Sequence, residues 1–330
     1  MMKPFTAYRL FAGDGGTPQG RFVELGIDEL SPGEVVIRVA CTSINYKDAL
    51  AAVGTNRIIR DFPRIGGIDL TGHVVASTDA RFREGDAVVV HGFGIGVELD
   101  GGHAQYARVA ADSVMPLPAG LGLLEASILG AAGYTAGLCL HWMEHNGLRP
   151  DAGKVLVTGA TGGVGSVAID MLAQRGYTVS AMTGKDDAAD YLKSLGATDI
   201  VPAGAAQAGG KPLEKALWSG AIDAVGGDVL GWLLRTMQLD GVVTSFGNAG
   251  GAEFDATVLP FILRGVKLIG INANSPMALR REVWSKIATA YRPKHLERIA
   301  NIIDFEQLPQ AMAQMRARAS RGRTVIRMQH

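Results

Sequence analysis

One stretch constrains the fold more than any other: Val155-Leu156-Val157-Thr158-Gly159-Ala160-Thr161-Gly162-Gly163-Val164-Gly165-Ser166. The apolar run Val155 to Val157 reads as a short, buried parallel strand. Glycines at 159, 162, 163 and 165 follow at once, and an amphipathic run from Val167 to Arg175 reads as a helix. Strand, glycine turn and helix N-terminus together form an anion site, because glycines let a phosphate approach the backbone and unpaired N–H groups point at it. Thr161 stands where the usual G-x-G-x-x-G has its second glycine, which gives G-x-x-G-x-x-G. A strand before the motif, a helix after it and a second strand at the right distance point to a bound dinucleotide rather than a bare turn. Thr161, Gly162, Gly163 and Val164 are the candidates to meet its pyrophosphate.

The next strand is Tyr177-Thr178-Val179-Ser180-Ala181-Met182. Its end lies about 20 residues past the glycines, where an NAD-binding protein sets Asp or Glu on the ribose hydroxyls. Here the residues are Thr183-Gly184-Lys185. A carboxylate repels a 2′-phosphate, whereas a hydroxyl, an open backbone and a lysine hold one through charge-assisted hydrogen bonds. This predicts NADPH rather than NADH, with Thr183, Gly184 and Lys185 at the 2′-phosphate. The alternative is a solvated Lys185 and a Thr183 that caps a helix; Asp186 and Asp187 follow directly.

The chain has 330 residues, enough for two domains. Over the first 125 or so, strand-like segments recur at Phe5–Arg9, Val35–Thr42, His73–Ala76 and Ala87–Val90, separated by turns such as Ser31-Pro32-Gly33-Glu34. From Leu123 the pattern alternates between helices (Leu124–Gly130, Tyr134–Asn146) and apolar strands at 155, 178, 199–201, 221–225, 241–246 and 266–270. That alternation predicts an α/β doubly wound parallel sheet over 126–270. A largely antiparallel β-domain is expected from 1–125 together with 271–330, including a helix at Arg280–Tyr291 and a last strand, Thr324–Arg327, that returns to the first domain.

Hydrophobic residues make up 47% and the formal net charge is zero, so there is no whole-chain basic field for nucleic acid. No apolar stretch approaches the ~20 residues that span a bilayer, and no signal-peptide core opens the chain. Cys41 and Cys139 are the only cysteines, too few for a disulfide framework. They fit a reducing cytoplasm and read as packing residues. His141 and His145 are four apart on a helix but lack the Glu of H-E-x-x-H, so no bound metal is expected.

Several segments then carry a resemblance. Ser43-Ile44-Asn45-Tyr46-Lys47-Asp48-Ala49-Leu50, Gly66-Gly67-Ile68-Asp69-Leu70-Thr71-Gly72, Gly85-Asp86-Ala87-Val88, the glycine turn and Tyr191-Leu192-Lys193-Ser194-Leu195-Gly196-Ala197 resemble a zinc-free medium-chain dehydrogenase/reductase over essentially the whole length. Asn45 to Leu50, Thr183-Gly184-Lys185, Pro260-Phe261-Ile262-Leu263-Arg264 and Gly322-Arg323-Thr324 are similar to its NADPH-dependent acrylyl-coenzyme A reductase branch, often labelled quinone oxidoreductases. The resemblance implies a Rossmann NADP domain, a GroES-like catalytic domain and a homodimer paired through an edge such as Val266–Gly270. Where zinc relatives carry Gly-His-Glu, this chain has Gly67-Ile68-Asp69, and two cysteines cannot supply the zinc ligands of those enzymes.

Without a Lewis acid, the implied chemistry is reduction of an activated C=C bond: hydride to the β-carbon, an enolate on the carbonyl oxygen, then a proton to the α-carbon. By resemblance Tyr46, Asn45 and Asp48 are the catalytic candidates, Tyr46 also contacting the cofactor. Tyr46 can equally be a packing residue, and Asp48 a helix cap. Asn248 after a strand end, Phe261 and Ile262 at the nicotinamide, and Gln329 where the branch has a terminal Asn complete the implied cofactor contacts. Arg57, Arg60, Arg64, Arg280 and Arg281 are candidates for coenzyme A phosphates. The alternatives are a quinone or enone reductase using the same hydride, and a non-catalytic NADPH-binding protein.

Overall fold

The computed structural model describes residues 3–329, which divide into two compact units. The first comprises 1–131, 276–281 and 300–330; the second comprises 132–275 and 282–299. The sequence reading places all of 271–330 with the first domain. The structure puts 271–275 and 282–299 in the second unit and 126–131 in the first; in 282–299 the helix Met277–Ala288 buries Val283, Trp284 and Ile287 completely. Gly137 makes room for them: a Cβ there would sit 2.8 Å from Ile287.

The second unit is built on six parallel strands in the order Ala197–Pro202, Thr178–Thr183, Lys154–Val157, Trp218–Asp223, Met237–Ser245 and Lys267–Gly270. Numbered along the chain this is 3-2-1-4-5-6, the doubly wound order, whose direction reverses between the first and fourth strands. Val155, Leu156 and Val157 are fully buried on that central strand. Parallel strands covered on both faces read as continuous apolar runs, which is why this one was legible.

The first unit holds a seven-stranded sheet. Its path runs Ala300–Ile303, Arg323–Arg327, Val35–Ile44, Asp69–Ser77, Ala87–His91 and Val114–Pro116, with Tyr106–Val109 also paired to Val35–Ile44. All pairs are antiparallel except the first two strands, which are parallel. A smaller antiparallel sheet joins Gln19–Leu25, Phe5–Phe11 and Arg64–Ile65. Thr324 lies opposite Ile44, so the last strand delivers Arg323 to the start of the helix Tyr46–Ala51.

One helix, Leu123–His145, is long and apolar enough to cross a membrane, yet 78% of its most apolar window is buried inside the protein. It breaks at Gly130, where φ is 48° and ψ −150°. Leu129, Tyr134, Leu138 and Met143 are almost wholly buried, as in a core helix.

His91 gives the first unit a pH dependence. It is buried at the end of Ala87–His91, with an Arg280 nitrogen 2.8 Å from its Nδ1. Burial, reinforced by the Arg280 charge, holds its pKa well below the ordinary 6.5. Below that value the unfolded chain takes up a proton that the folded chain refuses, so this contribution is intact above about pH 6.5 and falls as the pH drops. Burial and Lys286 lower His141 in the same direction. Urea melts should lose about 0.8 kcal/mol on this account between about pH 7.5 and about pH 6. The loss should shrink in His91→Gln; an unchanged pH slope in that variant would contradict the assignment.

Candidate active site

In the second unit, the glycine turn joins the strand Lys154–Val157 to the helix Gly163–Gln174. Gly159 has a φ of 57°, in the left-handed region, and its carbonyl accepts the Gly162 N–H at 2.9 Å. The Ala160 N–H reaches back to the Met182 carbonyl at 3.1 Å, locking the turn to the neighbouring strand. Gly165 is required for a different reason. A Cβ there would lie 2.6 Å from the Gly159 oxygen and 2.9 Å from the Ala160 Cα, so the helix seats directly on the turn. Gly162 is exposed, Gly163 and Val164 half-buried, and Thr161 buried, so the helix N-terminus opens outward around Gly162.

Thr183, Gly184 and Lys185 form a tight turn at the end of the adjacent strand, where the Thr183 hydroxyl accepts the Lys185 N–H at 3.1 Å. Gly184 is exposed and Lys185 half-buried. Asp186 and Asp187, both exposed, begin a short 3-10 turn that ends at buried Ala188.

Sequence reasoning missed the carboxylate that holds this end of the sheet together. Asp223, fully buried, accepts the Thr158 hydroxyl at 2.8 Å and the Val225 N–H at 3.1 Å. It also takes the Gly226 N–H at 3.1 Å and the Ser245 hydroxyl at 3.0 Å. It therefore clamps the first, fourth and fifth strands at the crevice where the strand order reverses. The available signal was a lone acid closing the apolar run Ala221-Ile222.

Beside it, a groove of about 680 Å³ opens at the strand ends, lined by Ser245, Phe246, Gly247, Asn248, Ala252, Gly270, Ile271 and Asn272. Asn248 is exposed in it. Phe261 and Ile262 do not line this groove. They lie on the helix Leu259–Arg264, where Phe261 packs against the apolar core and Ile262 is 68% exposed.

In the first unit, Asn45, Tyr46 and Asp48 begin the helix Tyr46–Ala51, but only Tyr46 is presented outward, with 43% exposure. Asp48 is buried and spends both oxygens on backbone, taking the Asn45 N–H at 2.8 Å and the Ile68 N–H at 3.0 Å. Burial raises its pKa, partly offset by His103. The first of these bonds closes a capping box at the helix start, the capping role that the sequence also allowed. Asn45 is likewise committed: its amide donates to Asp69 at 2.9 Å, and its oxygen accepts from Arg323 at 3.0 Å. Gln329 lies at the surface of this unit, with its side-chain amide on Asp304 and its backbone carbonyl accepting the Gln105 amide.

Asp69, Arg323 and His103, all buried, are the residues of this centre that the sequence reading did not select. Arg323 and Asp69 are 3.5 Å apart, and the His103 Nε2 lies 3.4 Å from the Ser43 carbonyl. Among the described residues no three His, Cys, Asp or Glu side chains are grouped as a metal site. Burial pushes the Cys139 thiol up to about 12 and raises that of Cys41 as well, so neither is a thiolate at neutral pH.

Two family models match the chain: the alcohol dehydrogenase GroES-like domain over 31–119 and the zinc-binding dehydrogenase over 163–289. The Ruegeria pomeroyi acrylyl-CoA reductase AcuI is 42% identical over 315 residues, covering 95% of this chain and 96% of its own. The Bacillus subtilis protein named "Putative quinone oxidoreductase YhfP" is 44% identical over 307 residues, 92% of this chain and 93% of its own. The chain belongs to the medium-chain dehydrogenase/reductase superfamily. Within it, the branch is that of acrylyl-CoA reductase AcuI, yhdH and YhfP. The Salmonella enterica yhdH oxidoreductase, solved in complex with NADP, has a TM-score of 0.95 at 41% identity, covering 98% of this chain and all of its own. YhfP, solved with NAD bound, has a TM-score of 0.96 at 42% identity, covering 99% of this chain and 100% of its own.

Within this superfamily fold, the five candidate arginines separate cleanly. Arg280 is 1% exposed, against His91 and over the Phe93 ring, and Arg64 donates to Ser31 beside Asp100. Both serve structure. Arg57, Arg60 and Arg281 are exposed and able to meet an anion.

Proposed function

We propose that the protein is an NADPH-dependent reductase for the C=C bond of a short α,β-unsaturated acyl-CoA thioester, converting acrylyl-CoA to propionyl-CoA. The observation that carries this reading is the full-length kinship with an acrylyl-CoA reductase at 42% identity. The residues fit the cofactor. The Gly165 cradle, the outward helix end at Gly162 and the absence of a carboxylate from Thr183 to Lys185 all suit a dinucleotide with a 2′-phosphate.

When bound, NADPH supplies the hydride that reaches the β-carbon. Thr161 to Val164 would hold the pyrophosphate, and Thr183, Gly184 and Lys185 would hold the 2′-phosphate. Asn248 lines the groove at the strand ends. Tyr46 directs its hydroxyl to the thioester carbonyl, stabilises the enolate oxygen and relays a proton toward the α-carbon. Arg57, Arg60 and Arg281 are the remaining candidates for coenzyme A phosphates.

The first unit does not fit zinc. Ile68 is not a donor, and Asp69 already pairs with the buried guanidinium of Arg323, a cation a metal would have to displace. We therefore read the activity as zinc-independent, in a cytoplasmic protein. Two copies are expected to pair along the edge strand Lys267–Gly270, near the exposed apolar side chains of Ile262 and Leu263. The second reading, a quinone or enone reductase, is favoured by the kinship with YhfP.

The test is NADPH oxidation with acrylyl-CoA, with a simple quinone, and with NADH in place of NADPH. Saturable thioester turnover is expected, with kcat lowered about tenfold or more in Tyr46→Phe. Lys185→Ala should raise the KM for NADPH about tenfold while leaving that for NADH nearly unchanged. Quinone turnover without thioester turnover would make the second reading the correct one.

A further inference from the structure

We propose that Arg323 and Asp69 are positioning residues for the reaction: as a buried pair they fix the elbow Ser43–Asn45 and so set the placement of Tyr46. The proposal rests on the role given to Tyr46 above.

The strand Val35–Ile44 passes into the helix Tyr46–Ala51 through Asn45 alone. Nearly every polar atom of that elbow is held. Asp69 takes the Ser43 N–H at 3.0 Å, the Ser43 hydroxyl at 2.5 Å and the Asn45 amide at 2.9 Å. Arg323 donates to the Asn45 side-chain oxygen at 3.0 Å, to the Ile44 carbonyl at 3.5 Å and to the Ser43 hydroxyl. Ser43 and Ile44 have no exposure, Asn45 has 9% and Asp48 3%, while Tyr46 between them has 43%. The elbow is thus a rigid, buried mount carrying one outward aromatic.

Stability alone does not account for such a pair. A buried ion pair can commonly be replaced by apolar residues of similar volume without loss, because desolvation offsets the attraction. What this pair supplies is direction. The guanidinium is a planar fork, and its Nε also reaches the Ile128 carbonyl at 2.9 Å. Asp69 further accepts the Ala131 N–H at 3.0 Å. A Cβ at Gly130 would fall 2.5 Å from the Asp69 Oδ2, so the bare glycine admits the pair at the break in the Leu123–His145 helix. One carboxylate and one guanidinium therefore register two chain segments against the elbow. Lysine keeps the charge but cannot reproduce the fork.

The experiment uses Arg323→Lys, Tyr46→Phe and the double variant in the whole protein. It measures kcat and KM for acrylyl-CoA, NADPH affinity by fluorescence, and amide hydrogen exchange over residues 43–51. Arg323→Lys should lower kcat about tenfold, up to the loss seen in Tyr46→Phe itself, with NADPH affinity changed less than about threefold. It should also raise exchange in 43–51. In the Tyr46→Phe background the same substitution should cost almost nothing further. Should Arg323→Lys not fold, Ser43→Ala, which removes one shared hydroxyl, carries the same comparison. A full, multiplicative loss in the double variant, or unchanged exchange in 43–51, overturns the proposal. A Tyr46→Phe enzyme as fast as wild type instead overturns the role of Tyr46, and with it any catalytic effect of the pair; raised exchange would then mark the pair as a structural mount only.

Discussion

Replacing Gly165 by alanine is expected to abolish practical NADPH binding, weakening it about 100-fold, or about 2.8 kcal/mol. The single methyl group would stand 2.6 Å from the Gly159 oxygen and 2.9 Å from the Ala160 Cα. Both obstacles are backbone, so neither can rotate away. The helix Gly163–Gln174 must move off the turn, and its N–H groups move with it. Overpacking of this kind costs about 3 kcal/mol of stability, which a urea melt of the unliganded protein would register separately. Gly204→Ala is the control for stability, since a Cβ there meets nothing within 4 Å and φ is not positive. Wild-type NADPH affinity in Gly165→Ala would mean that the turn does not hold the cofactor.

The second large effect concerns Asp223. Truncation to alanine strips the acceptor from the Thr158 and Ser245 hydroxyls and from the Val225 and Gly226 N–H groups. The hydroxyls can turn to other acceptors, but the two backbone donors cannot. Each donor left buried without a partner costs about 1–3 kcal/mol, so a total of about 3–5 kcal/mol is expected. The loss should appear as a lower urea midpoint for the second unit. Because the Thr158 bond spans the crevice beside the glycine turn, NADPH should recover part of the lost stability by binding the folded state. A loss below about 1 kcal/mol would show that the crevice is held by strand pairing alone.

The fold was legible where one rule dominated. The doubly wound sheet followed from its apolar parallel strands, and Val155 to Val157 are buried as that rule requires. The glycine turn followed from spacing, and Gly159 and Gly165 carry the conformation and the close approach the motif needs. The site in the first unit was harder, because its partners are far apart in sequence. Asp69 and Arg323 meet only once the last strand pairs beside Val35–Ile44. By resemblance Asn45 and Asp48 were catalytic candidates, with a helix cap as the other reading of Asp48. Both are buried and hydrogen-bonded at the elbow, while Tyr46 is the exposed one of the three. The helix Met277–Ala288 illustrates the same limit at the scale of domains: its buried face, not its place in the chain, assigns 282–299 to the second unit.

Transfer of hydride from NADPH to the β-carbon of an unsaturated thioester is the step on which the proposed activity stands. It is tested most directly by supplying NADPH deuterated at the transferred position together with acrylyl-CoA, and locating the label in the product by NMR. The propionyl-CoA formed should carry one deuterium at C3, with the new hydrogen at C2 drawn from solvent. Oxidation of the labelled NADPH with no propionyl-CoA formed, or with deuterium anywhere but C3, would contradict it.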